Sequence, residues 1–359
     1  MTPAFWKDRR VLVTGHTGFK GAWLCLWLTR MGAKVSGLAL EPDTDPNLWT
    51  LLGLKDVQSH ICDINDASAV AACLAQEKPE IVLHLAAQPL VRRSYREPIE
   101  TFATNVMGVV TLLDAIRQTP SVQSCVIVTS DKCYRNDEQV QRFGENDPMG
   151  GLDPYSASKG AAELVTTSMR HSFFAPYAAG GHPARIASAR AGNVIGGGDW
   201  SEDRLIPDIL RGCLGPDGRV VIRAPNSVRP WQHVLEPLRG YLMLAEHLTD
   251  KTPGADDGWN FGPDEGDTRP VIDVANAVVG ALGQGQIDIQ EDPNAPHEAK
   301  LLQLDSSKAR QIGWAPGLDF SQTVEMTAGW YGGWSSGTSA RDLCGAQIEQ
   351  YMQIFGERL

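Results

Sequence analysis

The sequence predicts an α/β protein built on a doubly wound parallel sheet, with a smaller α/β domain towards its C-terminus. Three observations predict it. Short apolar runs at 11–13, 81–85 and 125–128 each pass directly into small or polar residues, as buried parallel strands do where they emerge at their carboxyl ends. The first is joined, through a turn containing Gly15, Gly18 and Gly21, to an apolar stretch of helical length at 22–31 that stops at Gly32. The 359 residues also exceed one ordinary core, which divides the chain into a larger unit at 1–185, to which later segments return, and a smaller one at 186–359.

Composition narrows the function. Hydrophobic content of 42% and charged content of 21% are globular values. A net charge of -11 argues against a nucleic-acid-binding surface, although a few arginines suffice for an anionic-ligand pocket. The seven cysteines are odd in number, widely spaced and partly set in apolar runs, so reduced thiols in a cytoplasmic protein are expected. Their spacing gives no zinc pattern, and no metal is expected. The first ten residues lack an apolar signal core and no uninterrupted apolar run approaches ~20 residues, so neither export nor a membrane is expected.

Taken in order, the first strand leads into Thr14, Gly15, His16, Thr17, Gly18, Phe19, Lys20 and Gly21. Between a strand and an apolar helix, such glycines allow a tight turn, close approach of backbone N–H groups to a pyrophosphate, and packing of the helix on the sheet. The loop is therefore read as a Rossmann-type dinucleotide site. The strand at 34–40 ends near Ala39, with Glu41 and Asp43 just beyond. Acidic residues there accept hydrogen bonds from the adenosine ribose, and with no arginine beside them the reading is NAD rather than NADP. A strand-like run at 59–62 precedes Asp63 and Ile64, and Asp63 is placed to cap the helix that begins at Ala67. The strand at 81–85 ends in Leu85, Ala86, Ala87 and Gln88, small residues that let a cofactor lie against the backbone. Arg92, Arg93 and Ser94 follow at the loop mouth as candidate substrate contacts.

The strand at 125–128 delivers Thr129, Ser130, Asp131 and Lys132 to a carboxyl end, where open α/β sheets bind their ligands. Tyr155 and Lys159 stand four apart and so share one helix face. A cation beside a phenol favours the phenolate, so Tyr155 is expected to take a proton from a sugar hydroxyl near neutrality, with Lys159 tuning it and holding a ribose. Arg204, Arg219, Arg223 and Arg229 recur around a short strand at 220–223 and suit a diphosphate. Arg219 is read as a solvated cation, His233 as a buried, satisfied histidine, and Trp200 and Trp231 as either nucleotide contacts or core. A helix is expected at 270–279, and a linker at 332–338 before a C-terminal helix.

In this order the glycine motif, the Ala86-Ala87-Gln88 strand end, Ser130-Asp131-Lys132 and the Tyr155, Lys159 pair resemble the extended short-chain dehydrogenase/reductase superfamily, from Val11 to about Trp314. The longer matches at 15–21, 86–92, 130–134 and 192–200 resemble its branch of nucleoside-diphosphate-hexose 4,6-dehydratases, over nearly the whole chain. The resemblance implies NAD as cofactor, CDP-D-glucose as substrate, and a 4-keto-6-deoxy product used in lipopolysaccharide O-antigen. It implies a homodimer or dimer of dimers built on the helices carrying Asn105 and Tyr155. It further implies that Asp63 and Ile64 touch adenine, that Asn105 props Lys159 through water, and that Asn193 and Arg229 bind the diphosphate. Arg190 is then structural, and His297 or Glu298 reaches the base. His16 and Lys20 depart from the pattern, since relatives carry small or apolar residues there. Pointing to solvent they change nothing; facing the cofactor they weaken NAD binding.

The implied reaction needs more than a dehydrogenase. After oxidation at C4, the acidified C5 proton must leave, the departing C6 hydroxyl must be protonated, and the hydride must return to C6. Asp131 and Lys132, beside Ser130 and Tyr155, supply the two extra ionisable groups. As the acid, Asp131 must stay protonated near neutrality, which burial or a neighbouring anion provides. Lys132 either sheds its proton to act as base or stays charged and stabilises the enolate. The alternatives are a sugar-nucleotide 4-epimerase, a 4,6-dehydratase of another nucleotide sugar, and an inactive NAD-sensing regulator, which the intact Tyr155 and Lys159 disfavour.

Overall fold

The computed structural model describes residues 1–137, 142–290 and 302–359. Seven strands form one sheet in the spatial order Gly258–Phe261, Arg185–Ala191, Ser124–Val128, Ile81–His84, Arg10–Thr14, Lys34–Ala39 and Gln58–Ile61. Every pairing is parallel. The order reverses between Arg10–Thr14 and Ile81–His84, and the crevice outside the carboxyl ends at such a switch point is where these sheets bind ligands. Helices cover both faces, so the Ile81–His84 strand is buried along its whole length, which is why the inner strands read as unbroken apolar runs. Observed strand bounds differ from the expected ones by a residue or two, the usual uncertainty of element ends.

The strands Arg185–Ala191 and Gly258–Phe261 belong to the large sheet, so the chain crosses back to it twice from its second half. Segments between and after these returns form smaller sheets: Asn193–Ile195, Val228–His233 and Thr268–Pro270 make one, and Arg219–Ile222 pairs with Gln286–Ile289.

The helix Phe19–Arg30 after the glycine loop has eight consecutive buried residues, 21–28. One side lies on the sheet; another lies under the C-terminal helix Ala340–Ile354, where Trp27 meets Tyr351 edge-on at 5.9 Å between ring centroids. A helix apolar all round must be covered all round. At roughly 1.5–3 kcal/mol for each large apolar side chain buried, the C-terminal helix is a stabilising cover for the cofactor helix.

Two expectations are corrected, and one helix has a character the sequence did not reveal. The stretch 332–338 is not a linker throughout: the helix Phe320–Ser335 runs through Gly332 and Gly333, and the break comes at Gly337, φ +95. An Asp319, Gln322 capping box starts this helix, and Trp330, Tyr331 and Trp334 pack with Trp200, which outweighs the ~1 kcal/mol that each glycine costs. Trp200 is thereby a packing residue. The cap of the Ala67–Glu77 helix is Asp66, accepting from the amides of Ser68 and Ala69 at 3.0 Å each; Asp63 instead closes a turn onto the Asn65 amide at 2.9 Å. Finally, the continuous helical run Pro98–Ile116 has a mean hydropathy of 1.4 over its most apolar window, 44% of which is buried. It has the length and composition of a membrane span, a feature hidden in the sequence because Glu100, Thr101, Thr104 and Asn105 interrupt the apolar run. Its inner side packs on the helix Pro154–Phe173.

Candidate active site

The glycine loop and the end of the Ile81–His84 strand touch backbone to backbone. Gly15 has φ +73, and a Cβ on it would lie 2.7 Å from the Ala86 nitrogen; one on Gly21 would lie 2.1 Å from the Gly15 carbonyl oxygen. The Phe19–Arg30 helix begins at Gly18 with no side-chain cap and no acidic residue in its first turn, which leaves its N-terminus suited to an anion. Thr17 Oγ1 donates to the Leu40 carbonyl at 2.9 Å and ties the loop to the next strand. Leu85, Ala86 and Ala87 are half-buried along the floor. This cradle fits a dinucleotide pyrophosphate.

His16 and Lys20 do not point to solvent. The His16 ring is fully buried, with Nε2 2.7 Å from Ser59 Oγ, its edge against Trp49 at 4.6 Å, and its Cγ filling the space beside Gly37. Burial pushes its pKa down to about 4, so it is a neutral wedge under the second and third strands, away from the glycine amides. Lys20 is half-buried and turned into the cleft. Burial, with Arg204 and Lys159 adding like charge, pushes its pKa down to about 7, opposed by Asp131 and Asp199.

Asn105 sits on a π-helical turn, Ala103–Met107, a form of inserted turn often found at functional sites. Its Oδ1 accepts from the Gln88 amide at 2.8 Å, and its Nδ2 donates to the Gln88 carbonyl at 3.1 Å and to Ser158 Oγ at 2.9 Å. The Gln88 side chain donates to Thr101 Oγ1 at 2.8 Å and accepts from the Leu90 amide at 2.6 Å. Both residues therefore brace the strand end against the helix of Lys159. Ile64 is buried against Gly108, while Asp63 is exposed. Ser94 is fully buried; its Oγ donates to the Val91 carbonyl at 2.6 Å and accepts from the Tyr155 amide at 3.1 Å, so it seats the start of the Tyr155 helix.

That helix, Pro154–Phe173, begins as its sequence directs, with Pro154 in the first turn and Asp153 accepting from the Ser156 amide at 2.9 Å. Tyr155 and Lys159 are both buried on its inner face. In the protein alone, burial pushes the Tyr155 pKa up to about 12, against a hydrogen bond from Ser130 and with Asp131 adding to the rise and Arg204 opposing it. The lysine offers less help than its charge suggests, because burial pulls its own pKa down to about 8, opposed by Glu163.

Asp131 is 2% exposed. Ser130 Oγ donates to its Oδ1 at 3.0 Å, and Oδ2 has no hydrogen-bond partner among the described residues. Oδ2 lies beside Gly192, 2.9 Å from where a Cβ would stand there. Burial raises its pKa, opposed by Lys132, Ser130, Arg229 and Lys20. That is the direction in which a carboxyl must move to serve as a general acid. Lys132 is half-buried on the same turn, its amide donating to Ser130 Oγ at 3.2 Å.

The arginines divide. Arg229 is buried on the Val228–His233 strand and acts on Asp131; Arg204 pairs with Asp199 at 2.9 Å and acts on Tyr155. Arg223 and Arg92 lie outside this group, both paired with Asp203, at 3.1 and 3.8 Å. Arg219 pairs with Asp288. Asn193 is half-buried at the start of a strand whose partner is Trp231, itself in the core. His233 is buried, with Nδ1 accepting from the Leu235 amide at 3.4 Å but Nε2 without a partner, so it is only half satisfied. His297 and Glu298 lie outside the described residues.

Two residues near the site, Glu163 and Asn260, escaped the sequence reading, which named Arg190 as structural. Glu163 and Arg190 form a buried pair at 2.8 Å, and Tyr134 OH accepts from Arg190 and donates to Asn260 Oδ1 at 2.7 Å. The signal for Glu163 was present: it continues the four-residue ladder from Tyr155 and Lys159.

Residues 12–327 match the family model described as GDP-mannose 4,6 dehydratase. The chain is 49% identical over 350 residues to the CDP-glucose 4,6-dehydratase of Salmonella typhimurium, covering 97% of each. It is 27% identical to a dTDP-glucose 4,6-dehydratase of Xanthomonas campestris pv. campestris, over 89% of this chain and 92% of that protein. Among solved structures, dTDP-glucose 4,6-dehydratase from Bacillus anthracis in complex with NAD aligns with TM-score 0.75 at 20% identity, over 94% of this chain and all of that one, a likeness of fold. A Thermus thermophilus UDP-glucose 4-epimerase complex with NAD aligns with TM-score 0.72 at 25% identity, over 89% and 98%. With its switch-point cleft, glycine cradle and Tyr155, Lys159 helix, the chain belongs to the GDP-mannose 4,6-dehydratase family of the extended short-chain dehydrogenase/reductase superfamily.

Proposed function

We propose that this chain is an NAD-dependent hydro-lyase that converts CDP-D-glucose to CDP-4-dehydro-6-deoxy-D-glucose. The observation that carries the reading is Asp131, a carboxyl buried beside Ser130 with its pKa raised and, among the described residues, no hydrogen-bond partner for Oδ2. A 4-epimerase needs no such acid; an elimination does. The choice of cytidine rests on the 49% identical relative.

When bound in the glycine cradle, NAD supplies the hydride acceptor and donor and a positive charge beside the phenol. Tyr155 takes the C4 hydroxyl proton, held by Ser130 and served by Lys159. That cofactor charge is what an elevated phenol requires in order to ionise. Asp131 delivers its proton to the departing C6 oxygen, and Lys132, the next residue, attends the C5 proton. Arg229 and Arg204, with Asn193, receive the diphosphate.

Exposed Ile99, at 86%, and Leu164, at 64%, with Phe102 and Met107, lie on the two packed helical runs 98–116 and 154–173. We assign this apolar face to a second copy of the chain, giving a homodimer. The seven free cysteines, six of them buried, suit a reducing cytoplasm.

Incubation with CDP-, dTDP-, UDP- and GDP-glucose, read by the alkaline absorbance of keto sugars, tests the proposal. Keto sugar from CDP-glucose supports it. A C4 epimer makes the chain an epimerase, keto sugar from another donor alone reassigns the nucleotide, and no reaction with any donor removes the enzymatic reading.

A further inference from the structure

The ladder of Tyr155 and Lys159 continues to Glu163, one turn on along the same helix and 3% exposed. Each carboxylate oxygen of Glu163 is met twice. Oε1 accepts from Thr129 Oγ1 at 2.5 Å and Arg190 Nε at 2.9 Å; Oε2 accepts from Ser188 Oγ at 2.6 Å and Arg190 Nη2 at 2.8 Å. All of these partners come from the two sheet strands behind the site. Arg190 is in turn fixed by Tyr134 OH at 2.6 Å and the Glu145 carbonyl at 3.1 Å. The carboxylate cannot swing.

We propose that Glu163 is a positioning residue for the reaction: locked by Arg190 and the sheet, it is the standing negative charge that keeps Lys159 cationic in a cleft with little water. The inference rests on the dehydratase reading of the site.

A buried ion pair is weak evidence for stability, since well-packed apolar residues of similar volume often do as well. Its charge needs another reason, and the groups around Lys159 give one. From the Ile81–His84 strand comes His84, bonded to Thr14 Oγ1 at 2.7 Å and kept neutral by burial, its pKa near 3. From the turn after Val128 comes Cys133, whose thiol burial pushes up. The glycine-loop helix brings Lys20, a like charge, and the lysine's own helix brings Tyr155, protonated, and Glu163. Arg190 and its hydrogen bonds hold the Glu163 carboxyl below its ordinary range despite burial. Among the described residues facing Lys159, Glu163 is therefore the one ionised acid, and it opposes the desolvation that has already brought the lysine to about 8.

Glu163→Gln tests this through the pH profile of kcat/KM for CDP-glucose, with thermal unfolding followed in parallel. The alkaline limb should move down by about one pH unit or more, costing roughly tenfold in rate on that limb while the rate below it and KM stay close to those of the parent. A limb that does not move overturns the proposal, even if the rate falls uniformly. Because a neutral amide in place of the carboxylate would leave Arg190 without its counter-charge, the double variant Glu163→Gln, Arg190→Gln removes both charges together and should show the same shift. Glu163→Asp should return the limb towards the parent's position; failure to do so, with the fold intact, also overturns it. The Cε chemical shift of labelled Lys159, followed by NMR against pH without substrate, gives the lysine titration directly. A lower titration point in the Glu163→Gln variants supports the proposal and an unchanged one refutes it, whether or not CDP-glucose is the substrate.

Discussion

Replacing Asp131 with Asn isolates one proton. The side chain keeps its size, and its oxygen can still accept the 3.0 Å bond from Ser130. The residue is 2% exposed and its second oxygen abuts Gly192, so an isosteric amide fits where a larger group would not, at a folding cost of about 1 kcal/mol. What disappears is a general acid, a contribution of roughly 10²–10⁴ in rate, or about 3–5 kcal/mol on the barrier to losing the C6 hydroxyl. Oxidation at C4 relies on Tyr155 and Lys159, so reduced cofactor should still form and now accumulate. Single-turnover nicotinamide absorbance, read beside keto-sugar formation, separates the two steps. In the parent, elimination slows as pH rises through the elevated pKa of Asp131, since only the protonated carboxyl donates; Asp131→Asn should lack that limb. Elimination at the parent rate, with no build-up of reduced cofactor, would refute Asp131 as the acid.

Lys20→Ile removes a cation that faces Lys159 and Arg204 in the cleft, where the positive nicotinamide ring would add another. We expect NAD+ to bind about tenfold tighter and NADH to change little, measured by calorimetric titration; equal changes for both would contradict the placement. Glu236 is buried, accepting from Tyr351 OH at 2.7 Å and the amides of Gly317 and Leu318 at 2.9 and 2.8 Å, and burial raises its pKa from an ordinary 4.5 to about 7. The folded chain thus holds this proton more tightly than the unfolded chain, so the stability it gives is complete below pH 4.5 and is lost as pH rises to 7, roughly 3 kcal/mol in all. Glu236→Gln should raise the melting temperature relative to the parent more at neutral pH than at acid pH; a difference that is flat with pH would show that another group sets the dependence. Leu164→Asp, at a position 64% exposed in the monomer, should leave the fold intact and lower the mass seen by sedimentation from dimer to monomer. A persisting dimer would move the interface elsewhere.

Much of the fold was legible because its signals are local. A strand, a glycine turn and an apolar helix in sequence leave few alternatives, and the four-residue spacing of Tyr155 and Lys159 is a property of the helix itself. The surroundings of Lys20 were not local: Arg204, Lys159, Asp131 and Asp199, all far along the chain, act on its charge. Ser94 looked like a loop residue and proved to be a brace because its partner, the Tyr155 amide, is 61 residues away. The phenol's elevated pKa also followed from burial that only the packed chain creates, and the helix through Gly332 and Gly333 depended on an aromatic cluster that includes Trp200.

The triple-glycine stretch 196–198 has a consequence for anyone wishing to reshape this enzyme. A methyl group on Gly197 would come within 2.0 Å of the Trp330 ring, one on Gly196 within 2.9 Å of Val234, and one on Gly198 within 2.6 Å of Leu48. The Gly197 carbonyl also takes the Trp23 indole N–H at 2.9 Å. Gly197 thus answers to the cofactor helix and to the Phe320–Ser335 helix at once. Libraries aimed at new sugar donors should leave these three positions fixed and diversify the partly exposed Arg92 and Arg223, keeping Asp203, whose φ of +54 restricts what can replace it.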